Sequence, residues 1–420
     1  MSRGLKTVVT VDNSYELRRV PDVGYNRNRT IHMCFTKVAG GFTVQAWGSA
    51  FPPSGGGSYR GFLRDENHEV DLAISGLREV WRRKIVDYSE GFNIYPFSDN
   101  WDLSGPLDRK RLDQVGLSLA REGNNLFDLI FDPKDEGLRE IREHLVCALR
   151  AGEQVITMES DELFVPWGML YVPPEGTDLW EPDAEWSMDG FIGYRHLIEH
   201  NFSRVPWFDS RISIDTDRVV VGLNIDERVD NNRSQTPFVK PVVAFFSDRT
   251  SVVIRRSKPE LAAALRNANF GDHITYFGCH GRPAGKRLEL STLVLEDDEV
   301  IASTDFRGWL SGRTLPTKPM VFVSACEGGQ MATLFYRSFG LHLLQSGARC
   351  LVGPQVDMPV SFAREYTERL FSEFLQPDRR LGDIVRDLTR EFADTFRNPL
   401  GLIFSLYRGI DVHLSPASPQ

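Results

Sequence analysis

Two stretches decide the fold, Ile274-Thr275-Tyr276-Phe277-Gly278-Cys279-His280-Gly281 and Val321-Phe322-Val323-Ser324-Ala325-Cys326-Glu327-Gly328-Gly329. Each starts as a near-continuous apolar run of strand length and ends in reactive polar groups followed by glycine. Apolar residues at successive positions mean that both faces of a strand are covered, the pattern of a parallel strand between helix layers. The strand reading covers 273–279 and 320–324, and similar runs stand at 218–224, 252–255 and 349–353. Helical segments fit between them at 259–267, 334–346 and 361–375. The alternation predicts an α/β fold, a mostly parallel sheet flanked by helices.

Upstream, residues 7–11, 30–37 and 42–47 are β-branched or aromatic runs punctuated by Gly40-Gly41 and by the Pro- and Gly-rich stretch 52–57, which predicts a small β-rich module. Apolar residues fall near helical spacing between 70 and 88, and Leu138, Ile141, Leu145 and Ala148 mark a helix stopped at Gly152, with a strand at 154–158. After Pro173-Pro174 the chain reads as loop to about 198.

The 420 residues carry 49 Lys and Arg against 58 Asp and Glu, a net charge of −9 with no basic stripe, which argues against nucleic acid as a partner. No window of about 18 apolar residues is present, so no membrane span is expected, and residues 1–17 do not read as an export signal. Cys34, Cys147, Cys279, Cys326 and Cys350 are odd in number and contain no CxxC. They read as reduced thiols of a cytoplasmic protein, with neither a disulfide framework nor a metal site.

Neighbouring parallel strands place their carboxyl ends on one sheet edge. A thiol at Cys326 and an imidazole at His280 can therefore meet although 46 residues separate them. A thiolate attacks a carbonyl carbon, an imidazole titrating near neutrality protonates the leaving amine, and adjacent glycines let a substrate backbone approach. Other candidates read as structural. Strand alternation turns Cys279 away from His280 into the core. Cys147 and Cys350, amid apolar residues, read as packing residues, and His273, which opens a strand, as structural. His196 and His200 flank Glu199 but lack the HExxH order and read as surface histidines. Gly55-Gly56-Gly57 reads as a flexible loop, Glu296-Asp297-Asp298-Glu299 as a solvated turn, and 226–236 as a flexible or cleavable loop.

The strand-Cys279-His280-Gly281 and Ser324-Ala325-Cys326-Glu327-Gly328 pair resembles the CHAT domain, a branch of the caspase-like cysteine peptidases that includes separase. Residues 163–170 resemble that family's Pro-Trp segment, 340–353 its helix ending in Ser-Gly-Ala-Arg, and 398–409 its last strand. The resemblance spans about 126–414. It implies a peptidase domain over 126–420, preceded by a β-rich regulatory or partner-binding module over 1–125. It also implies Cys326 as nucleophile, His280 as general acid and base, the backbone N–H groups of Gly281 and Cys326 as oxyanion hole, and no metal or cofactor.

Relatives often carry Trp-x-Val-x-Asp after the strand that ends here at Gly353, and in arginine-specific, separase-like members an acidic residue in this stretch receives the substrate side chain. Here the stretch is Pro354-Gln355-Val356-Asp357-Met358, so Ser324, Asp357 and Met358 are the specificity-pocket candidates. The implied partner is a protein substrate, with a gasdermin-like pore former in bacterial defence among the family's targets, and an activating ligand or partner acting on loops 226–236 and 282–290. Two other readings stand beside this one: a non-catalytic CHAT scaffold and a ligand-sensing regulator.

Overall fold

A computed structural model describes residues 26–65, 68–91, 94–105, 109–181, 184–202, 210–230, 237–282, 292–324, 339–356 and 358–416. Cys326, Asp357, the strand expected at 7–11, the first part of the helix expected at 334–346 and most of loops 226–236 and 282–290 lie outside these residues.

The strands in chain order are β1 Ile31–Val38, β2 Gly41–Trp47, β3 Tyr59–Arg64, β4 Val155–Glu159, β5 Leu197–Asn201, β6 Arg211–Ile214, β7 Val220–Ile225 and β8 Ser251–Arg255. They continue as β9 Ile274–Gly278, β10 His280–Arg282, β11 Thr292–Val294, β12 Val300–Ala302, β13 Met320–Val323, β14 Cys350–Pro354, β15 Phe404–Tyr407 and β16 His413–Pro416. Eleven of the described strands form one sheet in the order β3-β2-β1-β4-β5-β15-β14-β13-β9-β7-β8. Pairing is parallel except at β3–β2–β1 and at β15–β14. The fold is thus the expected α/β arrangement, a large, mostly parallel sheet between helices. The N-terminal strands continue that same sheet through the parallel β1–β4 ladder.

The central strands are apolar throughout because alternate side chains enter two different cores. Ile274 and Tyr276 of β9, Met320 and Phe322 of β13, and Val352 of β14 face one core. Phe277, Val321, Val323 and Leu351 face the other. On the first side Tyr276 stacks on Phe322 with centroids 5.8 Å apart, and Phe322 meets Phe371 of the helix Val360–Phe374 edge-on at 5.2 Å. On the second, Phe277 packs on Phe306 of the helix Ser303–Leu310. A sheet buried on both faces holds β9 and β13 in fixed register, Phe277 opposite Val323. That register positions the site.

Candidate active site

His280 begins β10, two residues after β9 ends, and β10 leaves the main sheet to pair with β11, His280 opposite Val294. Its side chain is 26% exposed, open enough to meet a ligand. Along the chain His280 stands three residues beyond Phe277, and Cys326 three residues beyond Val323, the directly paired residue of β13. Ser324, fully buried, donates its backbone N–H to the Phe277 carbonyl at 2.8 Å, so the ladder continues one residue past β13. Gly281 lies mid-strand opposite Leu293. Met358 is 3% exposed within the main core.

A carboxylate stands beside His280. Asp226, the residue after β7, is fully buried and its Oδ2 lies 3.9 Å from His280 Nε2. That distance is too long for a hydrogen bond and short for a Coulombic contact. Its placement follows from the β7–β9 ladder, where Ile225 pairs with Gly278 and the Asp226 N–H donates to the Gly278 carbonyl at 2.9 Å. Arg228 grips the carboxylate with Nε on Oδ1 at 2.8 Å and Nη2 on Oδ2 at 2.7 Å, while its backbone N–H donates to Oδ1 at 3.0 Å. The same guanidinium donates to Asp298 Oδ1 and to the Leu295 carbonyl, each at 2.7 Å. These contacts, Asp226 first, hold Arg228 charged well above the ordinary range.

No family model matches the chain. It is similar to a probable protease of Vitiosangium sp. (strain GDMCC 1.1324), 22% identical over 94% of this chain and 57% of the relative. The chain thus spans little more than half of that relative's length. Among solved structures it is similar to the complex of Porphyromonas gingivalis RgpB pro- and mature domains, at 9% identity and a TM-score of 0.42 over 66% of this chain and 71% of that one. It is also similar to the Saccharomyces cerevisiae separase–securin complex at 2.6 Å, at 10% identity and a TM-score of 0.45 over 92% of this chain and 30% of that one.

Several expectations change. His196 and His200, read as surface histidines, are each 4% exposed. His196 Nδ1 accepts the Gln154 N–H at 3.0 Å, and His200 Nε2 lies 3.0 Å from the Ser160 carbonyl. They are buried because 197–201 is a sheet strand between β4 and β15 and not part of a loop. Cys147, expected to pack, is exposed on the outer face of the helix Glu136–Ala151. The acidic turn is exposed but engaged: Glu296 with Arg256, Asp297 with the Lys258 N–H, and Asp298 with Arg228. Cys279 is buried in the second core, and His273 is buried with Nδ1 accepting the Val220 N–H. Asp65, His68 and Asp71 lie within reach of one cation, but Asp65 already accepts from the Val70 N–H and Lys37.

The residue that sequence reasoning missed is Asp226. It reads as the first member of a polar loop, and the signal is its position: a carboxylate directly after the apolar strand β7, which neighbours β9, the strand that ends two residues before the histidine.

Proposed function

We propose that this protein is a cysteine endopeptidase of the caspase-like kind, with Cys326 and His280 as its dyad. The observation that supports the reading is the β9–β13 register, Phe277 opposite Val323, from which His280 and Cys326 are each three residues further along the sequence, together with a partly exposed imidazole at His280. The similarity to a probable protease supports it.

In the proposed reaction the Cys326 thiolate attacks the scissile carbonyl carbon and forms a C–S bond. The backbone N–H groups of Gly281 and Cys326 receive the developing oxyanion. His280 gives its proton to the leaving amine as the C–N bond breaks. Water then attacks the thioester, His280 takes its proton, and the thiolate leaves. Charge selection at the P1 side chain is assigned to Asp357, the acidic residue of the stretch 354–358. The substrate is a protein, met in the cytoplasm, and a gasdermin-like pore former of a defence system is the specific target that the CHAT resemblance suggests.

A cleavage profile tests this. Wild type and Cys326→Ala are each mixed with a diverse peptide library and with a gasdermin-like protein. Cuts made by wild type alone are the expected result, weakened at basic P1 residues by Asp357→Ala. Identical profiles from wild type and Cys326→Ala would overturn the assignment.

A further inference from the structure

The stretch 354–358, which carries Asp357, is held in place by elements of the first 125 residues. Gln355 is fully buried; its backbone N–H donates to the Ile403 carbonyl at 2.8 Å and its Nε2 to the Tyr407 hydroxyl at 3.0 Å. Its side-chain oxygen accepts from Nη2 of Arg78 at 2.7 Å. Arg78 belongs to the helix Glu69–Trp81, whose other buried residues, Val70, Ile74, Leu77 and Trp81, are all apolar. A guanidinium on that face carries a desolvation cost that leucine or methionine would not. Its Nη2 reaches two acceptors of the later chain, Gln355 and the Phe164 carbonyl, the latter at 3.2 Å. A second tie lies three residues beyond Met358, where Ser361 Oγ donates at 2.7 Å to the carbonyl of Ser98 in the short helix Pro96–Asp99. Between the two ties Val356 and Met358 are buried in the main core, one on each side of Asp357 in the sequence. The one acidic residue of the stretch is thus bracketed by contacts to two N-terminal elements.

We propose that Arg78 is a positioning residue for substrate selection: by fixing Gln355 it holds the stretch that carries Asp357, and so couples the N-terminal part of the chain to the choice of P1 side chain. A selecting group discriminates best when its backbone is fixed before the substrate arrives, because ordering it on binding would consume part of the binding energy. The inference rests on the peptidase reading and on the assignment of charge selection to Asp357.

The test uses the full chain and two peptides that differ only in Arg or Leu at P1. Arg78→Met fills the buried site but removes its donors, Arg78→Lys keeps a donor, and Gln355→Met breaks the same bond from the other side. Each is compared with wild type and Asp357→Ala, and thermal melts check that each variant folds. In the expected result Arg78→Met lowers the preference for Arg over Leu, read as the ratio of kcat/KM values, by about tenfold, the worth of one charge-assisted hydrogen bond. The change falls on KM more than on kcat, Gln355→Met reproduces it, and Arg78→Lys restores part of it. Arg78→Met added to Asp357→Ala brings no further loss of preference, since both act on one discrimination. A fall shared equally by both peptides would mark loss of structure and overturn the inference. Folded Arg78→Met and Gln355→Met enzymes that keep the wild-type preference while Asp357→Ala loses it would overturn it too, and leave the peptidase reading intact. An unchanged preference in Asp357→Ala would overturn the selection assignment and this inference together. If wild type cuts neither peptide, the peptidase reading fails, and hydrogen exchange over 354–361 decides the positioning: faster exchange in Arg78→Met than in wild type upholds it, and equal exchange overturns it.

Discussion

At the scale of single residues, His196 and His200 show how neutral imidazoles are built into a core. His196 Nδ1 is an acceptor for the Gln154 N–H, so its other ring nitrogen carries the proton, and a second proton would face a donor. Burial pushes His196 down to about 3, with Arg195 and Arg390 adding to it, and pushes His200 down to about 4. In the unfolded chain both titrate near the usual value of about 6.5. As pH falls below that value the unfolded state takes up protons that the folded state refuses. Stability therefore drops, by at most about 1.4 kcal/mol per pH unit for each histidine, until the folded values are reached. Thermal melts between pH 7.5 and 5 should show Tm falling in wild type and falling less steeply in the His196→Gln, His200→Gln double variant. Equal slopes would mean that other groups carry the acid sensitivity.

Among the elements, those legible in the sequence have side chains that obey a period. β9, β13 and β14 were readable as apolar runs because two cores take alternate residues, β7 and β8 from their valine-rich runs although only one face of each reaches a core cluster, and the helix Val360–Phe374 from its apolar stripe. The helices Val239–Arg249 and Leu381–Asp394 carry the same kind of stripe, Val239, Val242 and Phe246 in one and Leu381, Ile384, Leu388 and Phe392 in the other. They were legible and passed over. β5 was not legible: Leu197-Ile198-Glu199-His200-Asn201 is mostly polar, and it enters the sheet only because distant groups satisfy Glu199. Arg29 Nε lies 3.0 Å from that carboxylate, Thr157 Oγ1 donates at 2.9 Å, and the Gly409 and Ile410 N–H groups donate at 2.9 Å each. Such a strand is specified by partners remote in sequence, which no local window contains. The site divides in the same way. His280 and Cys326 were marked by strand ends and glycines, whereas the place of Asp226 beside His280 appears only once β7 is known to pair with β9.

Across the whole molecule, the N-terminal strands and the C-terminal elements close on one another. Arg27 makes a paired contact with Asp383 at 2.6 and 2.8 Å, and Arg29 bridges Glu199 and Asp411. β1 covers the edge of β4 with a parallel ladder, and Gln355, directly after β14, accepts from Arg78 of the helix Glu69–Trp81 at 2.7 Å. A chain beginning at residue 126 would bare the β4 edge and leave buried Glu199 without its arginine, and both favour aggregation or unfolding. It should therefore be insoluble or melt without cooperativity, as judged by size-exclusion chromatography and calorimetry. A cooperative melt matching that of the full chain would show the first 125 residues to be a separable module.

The cysteines provide an internal comparison for the central claim. Cys147 is exposed and serves as the accessible reference, while burial pushes the Cys34 and Cys350 thiols up and Cys279 is enclosed in the second core. At pH 6.5 an ordinary thiol titrating near 8.5 is only about 1% thiolate, so a cysteine activated by an imidazole stands out. The most direct measurement is site-resolved alkylation of the full chain by iodoacetamide at that pH, followed by peptide mass spectrometry. Cys326 should be labelled well ahead of Cys147 in wild type and at the Cys147 rate in His280→Ala. Labelling of Cys326 no faster than Cys147 in wild type would contradict the account.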